Sequence, residues 1–244
     1  MLVLAVDTTT RQGSVALARD GRVVAVYEGD GAVTHGVRLP GDLVRFLQAH
    51  DFRIADVGLF AVASGPGSFT GMRIGIATMQ GLALANGKPL IGISALDAIN
   101  DAVLALCPPS SALCPASEVA VWMDAQRGQV FSAVYGKNVA LEPALADRPA
   151  DILSRWGREE RQPALFAGDG ALVYRALIRE ARGDVQIVDP TPPLAPSIAG
   201  LAETTLRAHG PSAPDAIRPI YVRRTDAELV RDGKAVVKVG TAPE

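Results

Sequence analysis

Cysteine, aromatic residues and a surplus of positive charge are all scarce in this 244-residue chain. Its two cysteines, Cys107 and Cys114, sit together in a Pro/Ser-rich stretch. That excludes a disulfide framework and leads us to expect reduced thiols in a cytosolic protein. Two cysteines and three scattered histidines also fall short of a structural zinc site. Aromatics make up 5% of residues, so the core must be mainly aliphatic. With 24 Lys+Arg against 26 Asp+Glu, the formal net charge is −2. Such a balance argues against a protein whose main task is to neutralise many phosphates, although a nucleic acid handled chiefly by a partner is still open. No run of 18 apolar residues occurs, and no basic leader with an apolar core precedes the first apolar segment; a cytoplasmic protein with no membrane partner is expected. Catalytic signatures are missing as well. There is no phosphate-binding G-x-x-x-x-G-K-[ST], and Gly65-Pro66-Gly67-Ser68-Phe69 lacks the second glycine of a nucleophile elbow. A metal pair at i, i+4 is absent too, because Leu39 stands where a second ligand after His35 would be. A triad of His35, Ser68 and Asp7 therefore has no supporting motif.

What is present is organised around residues 64–75. A short apolar run, Leu59-Phe60-Ala61-Val62-Ala63, reads as a buried strand before the stretch. After it, Ile76, Met79, Leu82 and Leu84 recur among alanines and glycines as in a helix. A glycine-rich turn between strand and helix can receive an anion on its backbone amides. Glycines can equally let two elements approach closely.

The rest of the chain reads as alternating short strands and helices. Residues 2–6 form a strand ending at Asp7, residues 14–18 a second, and residues 22–28 a third across an Asp20-Gly21 hairpin turn. A helix over 34–49 presents Val37, Leu43, Val44, Phe46 and Leu47 as its apolar stripe, with Pro40 near its start. A strand at 89–93 leads to a helix over 95–106 that Ser94 can cap, with Asp97 in its first turn. After the Pro/Ser-rich linker the pattern restarts: strand 119–123 ends in Asp124, a turn with Gly128 follows, then strand 129–135. This repeats the outline of residues 3–17 and suggests a duplicated unit. A helix opening at 151–153, a strand at 164–167, a helix over 174–181, a strand at 185–188 and a Ser197-capped helix to His209 follow. A last element spans 217–224, limited by Pro219, and the tail 225–244 is expected to be loose. The division is thus a first unit 1–106, a linker 107–118, a second unit 119–210 and a C-terminal segment 211–244 that can return to the first unit. Helices covering mixed sheets make this an α/β protein.

Two similar units imply a cleft. Asp7 and Asp124 each end a buried strand before a polar turn, where hydroxyls and amides such as those of Thr8 and Thr9 can contact phosphate oxygens. The plainer reading is an aspartate that caps its own turn. Gly168-Asp169-Gly170 can approach a nucleoside, with Gly168 and Gly170 allowing the contact. On the helix after the central stretch, Gly71, Gly75 and Gly81 each cost about 1 kcal/mol relative to alanine. Packing on this chain's own sheet, a subunit contact and an anion site each explain them.

Gly65-Pro66-Gly67-Ser68-Phe69-Thr70-Gly71-Met72-Arg73-Ile74-Gly75 closely resembles the hallmark of the TsaB (YeaZ) family, and so do three other motifs. They are Leu4-Ala5-Val6-Asp7-Thr8, Met123-Asp124-Ala125-Gln126-Arg127-Gly128-Gln129-Val130-Phe131 and Pro219-Ile220-Tyr221-Val222-Arg223. The resemblance runs from residue 2 to residue 224. It implies an actin/hexokinase-like (ribonuclease H-like) fold of two units. It further implies a non-catalytic scaffold and activating subunit of the complex that makes threonylcarbamoyladenosine beside the tRNA anticodon. Its partners would be a TsaD-like transferase, a TsaE-like ATPase and tRNA as substrate of the complex, with a homodimer when alone. ATP and a divalent metal would be used by the complex, with no intrinsic cofactor. On this reading the partner surface comprises Met72, Arg73, Gly75, Ile76, Met79 and Leu82, together with Leu43, Phe46 and Leu47. Close approach of another helix would then explain the glycines. An active nucleotide-dependent kinase or ATPase using Asp7, Asp124 and Gly168 is the alternative, and a glycoprotease-like peptidase a distant third.

Overall fold

The computed structural model describes residues 1–106, 118–136 and 139–223. The linker residues 107–117 with both cysteines, turn residues 137 and 138, and the tail from residue 224 lie outside the described residues.

β1 (Leu2–Asp7), β2 (Ser14–Arg19) and β3 (Arg22–Glu28) form the expected meander. Asp20 and Gly21 close its hairpin at φ 51° and 79°, the two positive angles that match the twist of the flanking strands. β4 (Leu59–Gly65) and β5 (Leu90–Ser94) add in parallel beyond β1, giving the order β3-β2-β1-β4-β5. Every residue of β1 and β4 is buried, because helices cover both faces of the sheet. Leu2, Leu4 and Val6 point toward α1 (His35–Ala49) and α2 (Phe69–Ala85), while Val3 and Ala5 point to the opposite face.

The second sheet repeats this plan. β6 (Glu118–Asp124) lies antiparallel to β7 (Val130–Gly136) and parallel to β10 (Leu165–Ala167), in the order β11-β10-β6-β7-β8. β8 (Val139–Ala140) and β9 (Leu145–Asp147) both pair with β7, and β11 (Gln186–Ile187) closes the far edge. Two mixed sheets of matching topology, each flanked by helices, make a duplicated α/β plan. α3 (Ala95–Leu106) and α7 (Ala195–His209) lie between the sheets, and one apolar core runs from Val3 and Ala5 through Ile99 and Ile198 to Val121 and Ala133. α4 (Pro149–Arg158) and α6 (Arg175–Arg182), with the short α5 (Asp169–Val173), cover the outer face of the second sheet around Trp122, Trp156 and Phe166.

Several elements differ from expectation. α7 begins at Ala195 rather than after a Ser197 cap, and the amide of Ala195 donates to Ser14 Oγ at 3.0 Å. The acceptor for its first turn therefore comes from β2, 181 residues away in sequence. α7 packs on β1, β2, β4 and β5, so a helix counted with the second unit rests on the first sheet. Residues 217–223 form no strand; the chain follows a 3₁₀ turn at Pro214–Ala216 and returns across the first unit. Ile220 N donates to Ser64 O at 2.7 Å, and Gln80 Nε2 donates to Pro214 O and Ile217 O at 2.9 and 3.1 Å.

The apolar stripe of α1 also needs correction. Leu43, Phe46 and Leu47 are buried as expected, but Val37 is 77% and Val44 54% exposed. At about 100° per residue these valines stand roughly 150° round the helix from Leu39, on the outer side. Their places inside are taken by His35, Arg38 and Asp42, which are buried and bonded to one another. Arg38 donates to Asp42 Oδ2 at 2.9 Å and to His35 Nδ1 at 2.9 Å.

Candidate functional site

The two units enclose a cleft of about 690 Å³ lined from one side by Thr9, Thr10 and His35 and from the other by Asp124, Gln126 and Asp169. Asp7 and Thr8 lie just beneath it, buried. The polar groups predicted to greet phosphate are used inside the turn. Asp7 Oδ1 accepts from Thr9 N at 2.7 Å and Thr9 Oγ1 at 2.5 Å, and Oδ2 accepts from Thr10 Oγ1 at 2.7 Å. Thr8 Oγ1 donates to Gly71 O at 2.8 Å. The carboxylate of Asp7 is thus the cap of its own turn. Asp124 behaves likewise, accepting from Gln126 N at 2.9 Å and Gln126 Nε2 at 2.6 Å. Among the described residues, no three His, Cys, Asp or Glu side chains gather as metal ligands.

Gly168 and Gly170 face β6 rather than the cleft. A Cβ on Gly168 would collide with Trp122 O, and one on Gly170 would lie 2.8 Å from the Met123 carbonyl carbon. Their glycines are accounted for by the approach of α5 to the β6 backbone. Between them, Asp169 Oδ1 accepts from Asp124 N at 3.0 Å and Gly170 N at 2.9 Å. Burial pushes the Asp169 carboxyl up; these two amides pull it back, and the charges of Asp124 and Asp7 push it up again. Its folded form therefore titrates above its unfolded form, and its ionisation subtracts stability as pH rises through that interval. An Asp169→Asn variant keeps an acceptor for both amides and loses the charge. Its thermal midpoint at pH 7 should equal or exceed that of the wild type, with the advantage shrinking as pH falls toward about 4. An equal loss of several degrees at both pH values would contradict this account.

His35 and Ser68 do not assemble into a relay. Arg38 can only donate, so His35 Nδ1 accepts from it and Nε2 carries the proton that reaches Thr10 O at 2.9 Å. Ser68 Oγ accepts from Gly71 N at 3.2 Å as the N-cap of α2. The hydroxyl, the imidazole and the Asp7 carboxylate each have other partners.

The predicted partner surface is mostly interior. Met72, Gly75, Ile76, Met79, Leu43, Phe46 and Leu47 are buried in this chain's own core; Leu82 is half-buried and Arg73 exposed. A Cβ on Gly71 would collide with Thr8 O, and one on Gly75 with Thr8 Oγ1. These two glycines admit the end of β1, not another subunit's helix. Gly81 differs, since nothing lies within 4 Å of the Cβ it lacks. The outward stripes of the two helices are Val37, Gly41, Val44 and Gln48 on α1, and Ala77, Gly81 and Leu84 on α2. α1 and α2 pack side by side, with a Cβ at Gly36 only 3.3 Å from Ile74 Cδ1.

Beside the cleft, sequence reasoning missed a second cavity of about 300 Å³ lined by Phe69, Arg127, Phe131, Tyr221 and Arg223. Its residues come from α2, the β6–β7 turn, β7 and the returning C-terminal segment. Only the motif at 219–223 hinted at it, and nothing in that motif says where it docks.

A family model described as "TsaD: tRNA N6-adenosine threonylcarbamoyltransferase" matches residues 30–232. The chain is 29% identical over 187 residues to the tRNA threonylcarbamoyladenosine biosynthesis protein TsaB of Bacillus subtilis (strain 168), covering 75% of this chain and 77% of that protein. It is 36% identical over 138 residues to the protein of the same name from Escherichia coli (strain K12), covering 57% and 56%. Among solved structures, YeaZ from Pseudomonas aeruginosa superposes with a TM-score of 0.72 at 26% identity, over 91% of this chain and all of that one (100%).

Proposed function

The chain belongs to the family of the TsaD threonylcarbamoyltransferase model, within its TsaB (YeaZ) group, and from that premise we propose that it is a non-catalytic scaffold and activating subunit. It has a role in tRNA threonylcarbamoyladenosine biosynthesis. The finer reading is that it docks a TsaD-like transferase through α1 and α2 and helps to recruit a TsaE-like ATPase. tRNA is then the substrate of the complex, ATP and a divalent metal are used by the complex, and this chain carries no cofactor of its own. When the transferase is absent, the same helices pair with a second copy.

One observation carries this reading. Val37, Val44 and Leu84 are 77%, 54% and 58% exposed on adjacent helices, around the small residues Gly41, Ala77 and Gly81. An apolar helix pair with small residues at its centre suits close packing by two further helices. The inward-turned hydroxyls of Thr8, Thr9 and Thr10 support a scaffold over a phosphate-transferring enzyme. The test is reconstitution. Threonylcarbamoyl transfer to tRNA by the TsaD-like enzyme should rise at least tenfold when this protein is added, and an unchanged rate would overturn the proposal. The competing kinase or ATPase reading rests on the size of the cleft and predicts ATP turnover by the isolated chain.

A further inference from the structure

The cavity of about 300 Å³ beside the cleft has a wall chemistry that neither the scaffold role nor the fold explains. Phe69 and Tyr221 meet there with ring centroids 5.3 Å apart and planes 31° apart, yet 40% and 41% of their surfaces are exposed. Arg73 lies 3.9 Å above the Phe69 ring and donates from Nε to Tyr221 Oη at 2.9 Å. Arg223 reaches in from the next turn of chain, donating to Ala125 O at 3.0 Å and to Gln129 Oε1 at 3.1 Å. Among the described residues, neither Arg73 nor Arg223 pairs with a carboxylate and no carboxylate lines the cavity. On a chain of net charge −2 this is a local concentration of guanidinium beside open aromatic faces.

We propose that this cavity binds a single nucleotide, its base stacked on Phe69 and Tyr221 and its phosphate held by Arg223. Aromatic faces give a base a stacking platform without demanding a particular sequence, and guanidinium forks suit phosphate oxygens. The volume falls at the lower end of small-ligand pockets, enough for one nucleotide and not for a longer strand. The ligand is either free or an unpaired nucleotide of an RNA; both offer the same base and phosphate. The competing account is purely structural: Arg73 and Phe69 fasten the C-terminal segment to α2. The nucleotide proposal does not depend on the scaffold role, because the isolated full-length chain is enough to test it.

Adenosine monophosphate, adenosine and a short unstructured oligoadenylate RNA are titrated into the protein by calorimetry, with thermal unfolding of each variant measured in parallel. Saturable binding of the monophosphate is expected, weakened at least tenfold by Tyr221→Ala and largely retained by Tyr221→Phe, which keeps the ring. Arg223→Gln should weaken the monophosphate at least fivefold and leave adenosine nearly unchanged. Oligoadenylate binding more than tenfold tighter than the monophosphate identifies RNA as the source, and equal affinity identifies a free nucleotide. The proposal is overturned if a folded wild-type protein binds none of the three. It is overturned equally if Tyr221→Ala and Arg223→Gln lower stability while any binding stays the same.

Discussion

Gly71→Ala is expected to lower the stability of this protein by about 3 kcal/mol or more, whereas Gly81→Ala should raise it by about 0.5–1 kcal/mol. Both residues lie in α2, and a helix-propensity argument would treat them alike. Their surroundings are opposite. A Cβ on Gly71 collides with the backbone oxygen of Thr8, which cannot move without shifting the adjoining end of β1, a fully buried strand of the first sheet. Thr8 is also tied there by its own hydroxyl, bonded to Gly71 O, so strand end and helix would have to part together. Around Gly81 there is open space, and alanine simply restricts the unfolded chain and favours the helix. Denaturant unfolding of the two variants checks the pair. A mild effect at Gly71 would show that the strand–helix contact is softer than its geometry implies. The same collision makes Gly75→Arg a poor probe of partner binding, since its Cβ already meets Thr8 Oγ1 and loss of the partner would report misfolding.

Val44→Glu, and likewise Val37→Glu, should abolish capture of the TsaD-like partner, weakening it by about a hundredfold or more. Stability should stay within about 0.5 kcal/mol of wild type, because both side chains already stand in water. In a helix–helix interface the new carboxylate would be buried without a partner, which is where single substitutions have their largest effects. Gly81→Arg asks the same question from α2, because the free chain has room for the side chain. Co-purification and unfolding curves on the same samples settle the matter. Undiminished capture by all three folded variants would move the docking surface elsewhere. Such a result would leave the nucleotide cavity untouched, as none of these residues lines it.

Much of the architecture is legible in the sequence. The runs at 2–6, 59–63 and 119–123 are short, apolar and bounded by turn residues, and each became a central strand. Asp20-Gly21 announced its hairpin through the angles only that turn needs. The duplication was visible because each unit begins with the same strand–Asp–turn–strand pattern, and the two sheets pair their strands in matching order. The glycine cost in α2 was also readable, as was the list of things that could repay it. The two-strand edge of β8 and β9 and the five-residue α5 were not, being too short to carry a period.

Sequence alone, then, determined the α/β class, the doubled unit, the family resemblance and the absence of familiar phosphate-loop and nucleophile motifs. All of these depend on neighbouring residues or on short spacings. Tertiary structure decided which of three uses the α2 glycines serve, because the group that fills the space beside Gly71 belongs to Thr8, 63 residues earlier. It decided which side of α1 faces inward, since valines on one side and leucines on the other give the period two candidate answers. It also brought Phe69, Tyr221 and Arg223 to one cavity, and the Arg73–Tyr221 bond that fastens the returning segment beside it spans 148 residues. Local pattern reports which elements form. It carries no record of which distant residue closes against them, and in this protein both the interior fit and the candidate binding surfaces depend on those contacts.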